Sequence, residues 1–103
     1  MANPMKIRAR VDGDVVQVRV LIGHVMETGL RKDAEGKLIP AHYIQLIDVT
    51  YDGRSILSAQ WGPAVSRNPY LAFKFRGGAK GGKIRVAWID STGQTGSGET
   101  AVE

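Results

Sequence analysis

A chain of 103 residues, 43% hydrophobic and 23% charged, is the size of one domain (1–103) and can bury a core, which excludes wholesale disorder. With no cysteine it has no disulfide, thiolate metal ligand or thiol nucleophile, and no apolar run nears the roughly 20 residues of a membrane-spanning helix. The net charge is +4, and Arg54, Arg67, Lys74, Arg76, Lys80, Lys83 and Arg85 lie between Asp52 and Asp90 with no acid among them, which suits an anion or acidic partner as well as a solvated strand face.

Met1 to Arg10 carries basic residues with no long apolar stretch behind them, so no secretory signal is expected. Lys6 to Val11 alternates Ile7, Ala9 and Val11 with Lys6, Arg8 and Arg10, the pattern of a half-buried strand. Asp12-Gly13 is a hairpin turn signal. Val15 to Ile22 follows, with Val16, Val18, Val20 and Ile22 on one face. A polar loop is expected from Gly23 to about Lys37. Tyr43 to Tyr51 turns Tyr43, Ile47, Val49 and Tyr51 toward the core, broken by Gln45. Asp52-Gly53 is the clearest hairpin turn, and Arg54 to Trp61 returns as its partner strand. The prolines of Gly62 to Pro69 exclude a central strand there. Tyr70 to Arg76 places Leu71, Phe73 and Phe75 inward against Ala72, Lys74 and Arg76. The glycines of Gly77 to Gly82 make a turn, Lys83 to Ile89 alternates again, and Ser91-Thr92-Gly93 leads into a weak last strand ending near Val102. No segment has helical period over ten residues. About seven antiparallel strands with frequent turns predict an all-β sandwich.

The residues offer no catalytic constellation. Gly77 to Lys83 has the G-x-x-x-x-G-K spacing of a phosphate-binding loop, but Ile84 stands where Ser or Thr is needed and opens a strand rather than a helix. His24, Glu27 and His42 could be imagined as a three-ligand metal set, yet no motif spacing links them, and structural roles are the expectation. Gly96-Ser97-Gly98 lacks the form of a nucleophile elbow. Phe73, Phe75 and Trp88 alternate with the cations instead of sharing their face, so they read as core and not as a base-stacking platform. No metal, cofactor or nucleic acid is expected. What stands out is two long loops, Met26 to Asp33 and Trp61 to Tyr70, holding Leu30, Trp61, Val65 and Tyr70 beside Arg31, Lys32 and Arg67, a mix that suits a protein interface, although Trp61 and Tyr70 could equally close the sandwich end.

The segments HVMETGLRKDAEGKLIPAHYI (His24 to Ile44) and LSAQWGPAVSRNPYLAFKF (Leu57 to Phe75) closely resemble the SoxZ family, the smaller subunits of the SoxYZ sulfur carrier of bacterial thiosulfate oxidation. The similarity runs from about Lys6 to Asp90. It implies an immunoglobulin-like sandwich that pairs with a SoxY-like subunit, whose cysteine on a flexible C-terminal arm holds the substrate sulfur. This chain would then be a non-catalytic support, without cofactor, on which other Sox enzymes dock. The resemblance further implies a periplasmic location reached by export with the partner. Leu30, Arg31, Ile39, Trp61, Val65, Asn68 and Tyr70 are the candidate partner contacts, and Arg54, Lys74, Arg76, Lys83 and Arg85 the candidate anion-steering cations. The alternative is a stand-alone anion- or nucleic-acid-binding β-domain using the basic stretch 54–85. Exposed edge strands would allow the isolated chain to form a homodimer.

Overall fold

The computed structural model describes residues 5–103. Residues 1–4, which the domain assignment and the reading of the N-terminus include, lie outside the described residues. Seven strands form: β1 (Met5–Asp12), β2 (Val15–Ile22), β3 (Ile44–Tyr51), β4 (Arg54–Gln60), β5 (Tyr70–Arg76), β6 (Lys83–Asp90) and β7 (Thr95–Ala101). All pairings are antiparallel, in a three-stranded sheet β1-β2-β5 and a four-stranded sheet β4-β3-β6-β7. The expected immunoglobulin-like β-sandwich is what the chain adopts.

Backbone chemistry closes the hairpins. Asp12 lies opposite Val15, leaving a two-residue turn that opens on Gly13 at φ 66°. Asp52 and Gly53 both take left-handed backbone, at φ 47° and 84°, as a turn matched to the right-handed twist of its strands requires. The inward residues then interlock: Val16, Val18, Val20 and Ile22 of β2 meet Ile47 and Val49 of β3 and Ile84, Val86 and Trp88 of β6, all buried. Strand β3 departs from simple alternation. A register shift between Ile44 and Leu46 turns both Ile44 and Ile47 inward and leaves Gln45 and Leu46 outside, as a bulge does.

Two further features differ from the sequence expectation. The segment after β2 is not a plain loop: Glu27 bridges His42 and Lys32 bridges Leu38, with hydrogen bonds from Ile39 N–H to Arg31 O and from Asp33 N–H to Lys37 O. It is an irregular hairpin arm whose residues 30–38 are all exposed. The chain measures 54 × 21 × 20 Å with a radius of gyration of 15.4 Å, against about 13 Å for a compact chain of this size. Past β7, Val102 is buried, Glu103 N–H donates to Ala9 O, and Val11 N–H donates to Glu103 O. The C-terminal residues therefore stitch the four-stranded sheet to β1.

Gly96 lies opposite Trp88, and a Cβ there would sit 2.5 Å from the indole carbons. Gly96→Val is expected to lower unfolding free energy by about 1–3 kcal/mol through overpacking, read as a lower urea midpoint by tryptophan fluorescence. Ser97→Ala, on the exposed face beside it, is expected to leave the midpoint unchanged.

Candidate functional site

The base of the arm is organised around one carboxylate. Asp90 ends β6 and is 2% exposed. Its Oδ1 accepts hydrogen bonds from Thr92 N–H (2.9 Å), Thr92 Oγ1 (2.7 Å) and Gln94 N–H (2.9 Å), which shape the β6–β7 turn as Asp side chains do in turns. Its Oδ2 accepts from Nε2 of His24 (3.0 Å) and Nε2 of His42 (2.7 Å). The two imidazoles meet edge to face at 4.7 Å, and the Trp88 indole lies 5.2 Å from His24. Neither histidine is near the other in sequence. They are brought together because β2 delivers His24 and the Glu27–His42 bridge returns the arm beside it.

Burial alone would raise the Asp90 pKa, but the hydrogen bonds from Thr92, His24 and His42 outweigh it and hold the carboxyl well below the usual carboxylate range. The His24 tautomer is set by its neighbours. Met26 N–H donates to Nδ1 at 3.0 Å, so Nδ1 carries a lone pair and Nε2 carries the proton given to Asp90. Met26 holds φ 48° in doing so.

His24, His42 and Asp90 are close enough together to suggest a metal set. A histidine bound to a metal through Nε2, however, needs its proton on Nδ1, where Met26 N–H already points. The cluster therefore acts as a hydrogen-bonded clamp between three segments. Glu27, named with the histidines from sequence, is not in it. Its carboxylate turns to Arg31 (Nε at 3.2 Å), and that hydrogen bond holds Glu27 below the ordinary carboxylate range. In the sequence Asp90 stands out only as a boundary of the basic stretch, with no site role. The Asp-Ser-Thr-Gly stretch signals its turn-forming oxygen, but nothing local signals the histidines.

The candidate partner contacts fall into different places. Leu30 is 83% exposed on the arm, Arg31 is beside it on Glu27, and Ile39 is half-buried in the arm ladder. Trp61 and Val65 are half-buried against the core and close the sandwich end. Asn68 braces His24, its N–H donating to His24 O (2.9 Å) and its Oδ1 accepting from His24 N–H (3.1 Å), at φ 51°. Tyr70, 60% exposed, stands on the outer face of β5. The candidate anion-steering cations are not brought together either. Lys74 and Arg76 lie on the three-stranded sheet. Arg54 lies on β4 and Lys83 and Arg85 on β6 of the other sheet, the latter two sharing Glu99 at 3.5 and 3.1 Å.

The family described as "Sulphur oxidation protein SoxZ" matches residues 5–101, nearly the whole chain, and the chain belongs to that family. It is a non-catalytic member of the Sox sulfur oxidation system, which works through a complex of partners. No curated protein matches the chain. Among solved structures, a hypothetical protein from Pyrococcus horikoshii is similar at 18% identity and TM-score 0.65, over 100% of this chain and 90% of its own. A superoxide reductase in the oxidised state (17%, TM-score 0.64, 100% and 90%) and the reduced superoxide reductase of Archaeoglobus fulgidus (18%, 0.64, 97% and 87%) share the same architecture. At such identities the likeness is one of fold.

Asp90→Ala strands donors on three segments and is expected to cost about 3 kcal/mol of stability. Because the folded-state pKa is depressed, the carboxylate's contribution is present above the unfolded-chain value of about 3.9 and is lost as pH falls below it. Urea denaturation from pH 7 to pH 3 is expected to show wild-type stability falling at the acid end, whereas Asp90→Asn starts lower and loses less.

Proposed function

From this family membership we propose that the chain is the non-catalytic subunit of a heterodimeric carrier in thiosulfate oxidation. It grips and supports a SoxY-like subunit whose C-terminal cysteine bears the substrate sulfur. The complex works in the periplasm, and this chain is exported bound to its partner. Other Sox enzymes then dock on the pair.

One observation carries the pairing: the arm from Glu27 to His42 stands out from the sandwich and exposes Leu30 (83%) and Leu38 (60%). A connection this long with no packing of its own is uncommon unless it serves a function, and exposed leucines on it gain free energy only when another surface covers them. The arm leads into a sheet face of suitable chemistry. The outer side of the four-stranded sheet shows Leu46, Ala87 and Ile89 among Ser55, Ser58, Gln60, Thr95 and Ser97. The row nearest the arm, Gln60–Leu46–Ile89–Thr95, carries no charge, as the centres of protein interfaces tend not to, while Asp48, Lys83, Arg85 and Glu99 lie in the rows beyond it.

Leu30→Asp with Leu38→Asp is expected to weaken heterodimer formation with the cysteine-bearing subunit at least about tenfold, roughly 1.4 kcal/mol, by titration calorimetry, while the melting temperature of the isolated chain holds. Unchanged affinity would end this reading. Trp61→Ala, by contrast, is expected to lower the isolated chain's stability by about 2 kcal/mol.

A further inference from the structure

Alternate residues of β1, β2 and β5 point away from the core and, through the observed register, form rows across the sheet: Lys6–Leu21–Tyr70, Arg8–Arg19–Ala72, Arg10–Gln17–Lys74 and Asp12–Val15–Arg76. Six cations, Lys6, Arg8, Arg10, Arg19, Lys74 and Arg76, share this face with one strand acid, Asp12. Glu103 lines a shallow concavity together with Arg8, Arg10, Gln17 and Arg19. Among the described residues none of the six is in an ion pair, whereas Lys83 and Arg85 on the other sheet share Glu99. Arg8 sits directly opposite Arg19, an arrangement that destabilises a strand pair. A face meeting only solvent would intersperse both signs. This one concentrates a single sign at a cost to the fold.

We propose that the outer face of the three-stranded sheet docks the carboxylate-rich surface of a protein partner, in a transient, salt-sensitive encounter. The inference goes beyond the pairing proposed above, which uses the arm and the opposite sheet. Several features favour a protein over a nucleic acid. Leu21 (42% exposed) and Tyr70 (60%) give the basic rows an apolar border, and Arg with Tyr beside a small apolar group is interface composition. Strand-tracking nucleic-acid sites interleave aromatics among their cations, but here Phe73 and Phe75 turn inward and only Tyr70 remains, at one corner. The cations also spread over several rows rather than along one track. A face of a dozen residues is about half the 20–30 that each side of a stable interface contributes, which places the encounter in the small, transient class, where opposite charge speeds association.

The test uses the full chain labelled with ¹⁵N, titrated with poly-L-glutamate at low and at physiological salt. Parallel arms use a DNA duplex and anionic phosphatidylglycerol vesicles at equal charge. Amide shifts are expected to gather on β1, β2 and β5 and to need more poly-L-glutamate as salt rises. Arg8→Gln with Arg19→Gln is expected to weaken binding about tenfold while raising the melting temperature, because the opposed charges are gone. Lys83→Gln with Arg85→Gln is expected to bind as the wild type. The proposal is overturned if shifts scatter over the whole surface, if the β6 pair matters as much as Arg8 and Arg19, or if duplex or vesicles take this face more tightly than poly-L-glutamate.

Discussion

The arrangement of this protein depends on a single buried carboxylate satisfied from two sides. Asp90 takes five hydrogen bonds, three on one oxygen from its own turn and two on the other from His24 and His42. Each histidine stands at one root of the arm, the first just after β2 and the second just before β3. An unpaired carboxylate in this position would be costly to bury. The requirement to pair it therefore fixes where the arm leaves the sandwich, and the Nδ1 bond from Met26 fixes the orientation of the first ring. A cluster that could be taken for a reactive centre is used to position an exposed segment.

What the clamp positions makes sense on a sandwich with unlike faces. The four-stranded sheet shows an uncharged row beside the arm, with Asp48, Lys83, Arg85 and Glu99 beyond it, whereas half of the outward positions of the other sheet are cations. The arm and the uncharged row beside it suit a lasting contact, because little charge has to be desolvated there. The basic face suits contacts that form and break quickly, because long-range attraction raises the association rate more than the affinity. A subunit with the supporting role proposed for this chain needs both.

The strands were readable because burial writes period two into a sequence. Ile7–Val11, Val16–Ile22 and Phe73–Phe75 show it plainly, and Asp52-Gly53 announces its own turn. The arm was not readable as a ladder for the same reason: it buries almost nothing, so Lys32 and Leu38 can pair without leaving any alternation. Ile44 was hidden by the bulge that puts it in phase with Ile47. The cations of β5 and β6 are neighbours along the chain, but Gly77 to Gly82 carries the backbone from one sheet to the other. Lys74 and Arg76 consequently share a face with Arg8, Arg10 and Arg19, far away in sequence. The clamp itself joins residues 66 and 48 positions apart, a separation at which no local pattern exists.

The proposed pairing requires that the arm be covered by a second polypeptide. Amide hydrogen exchange of residues 27–42, followed with the chain alone and with the cysteine-bearing subunit proposed as its partner, tests this directly. Rapid exchange is expected at the exposed arm amides in the isolated chain and marked protection on pairing, with the core amides of β2 and β6 slow in both states. If the pair forms and the arm exchanges as fast as before, the partner is held elsewhere and the account fails.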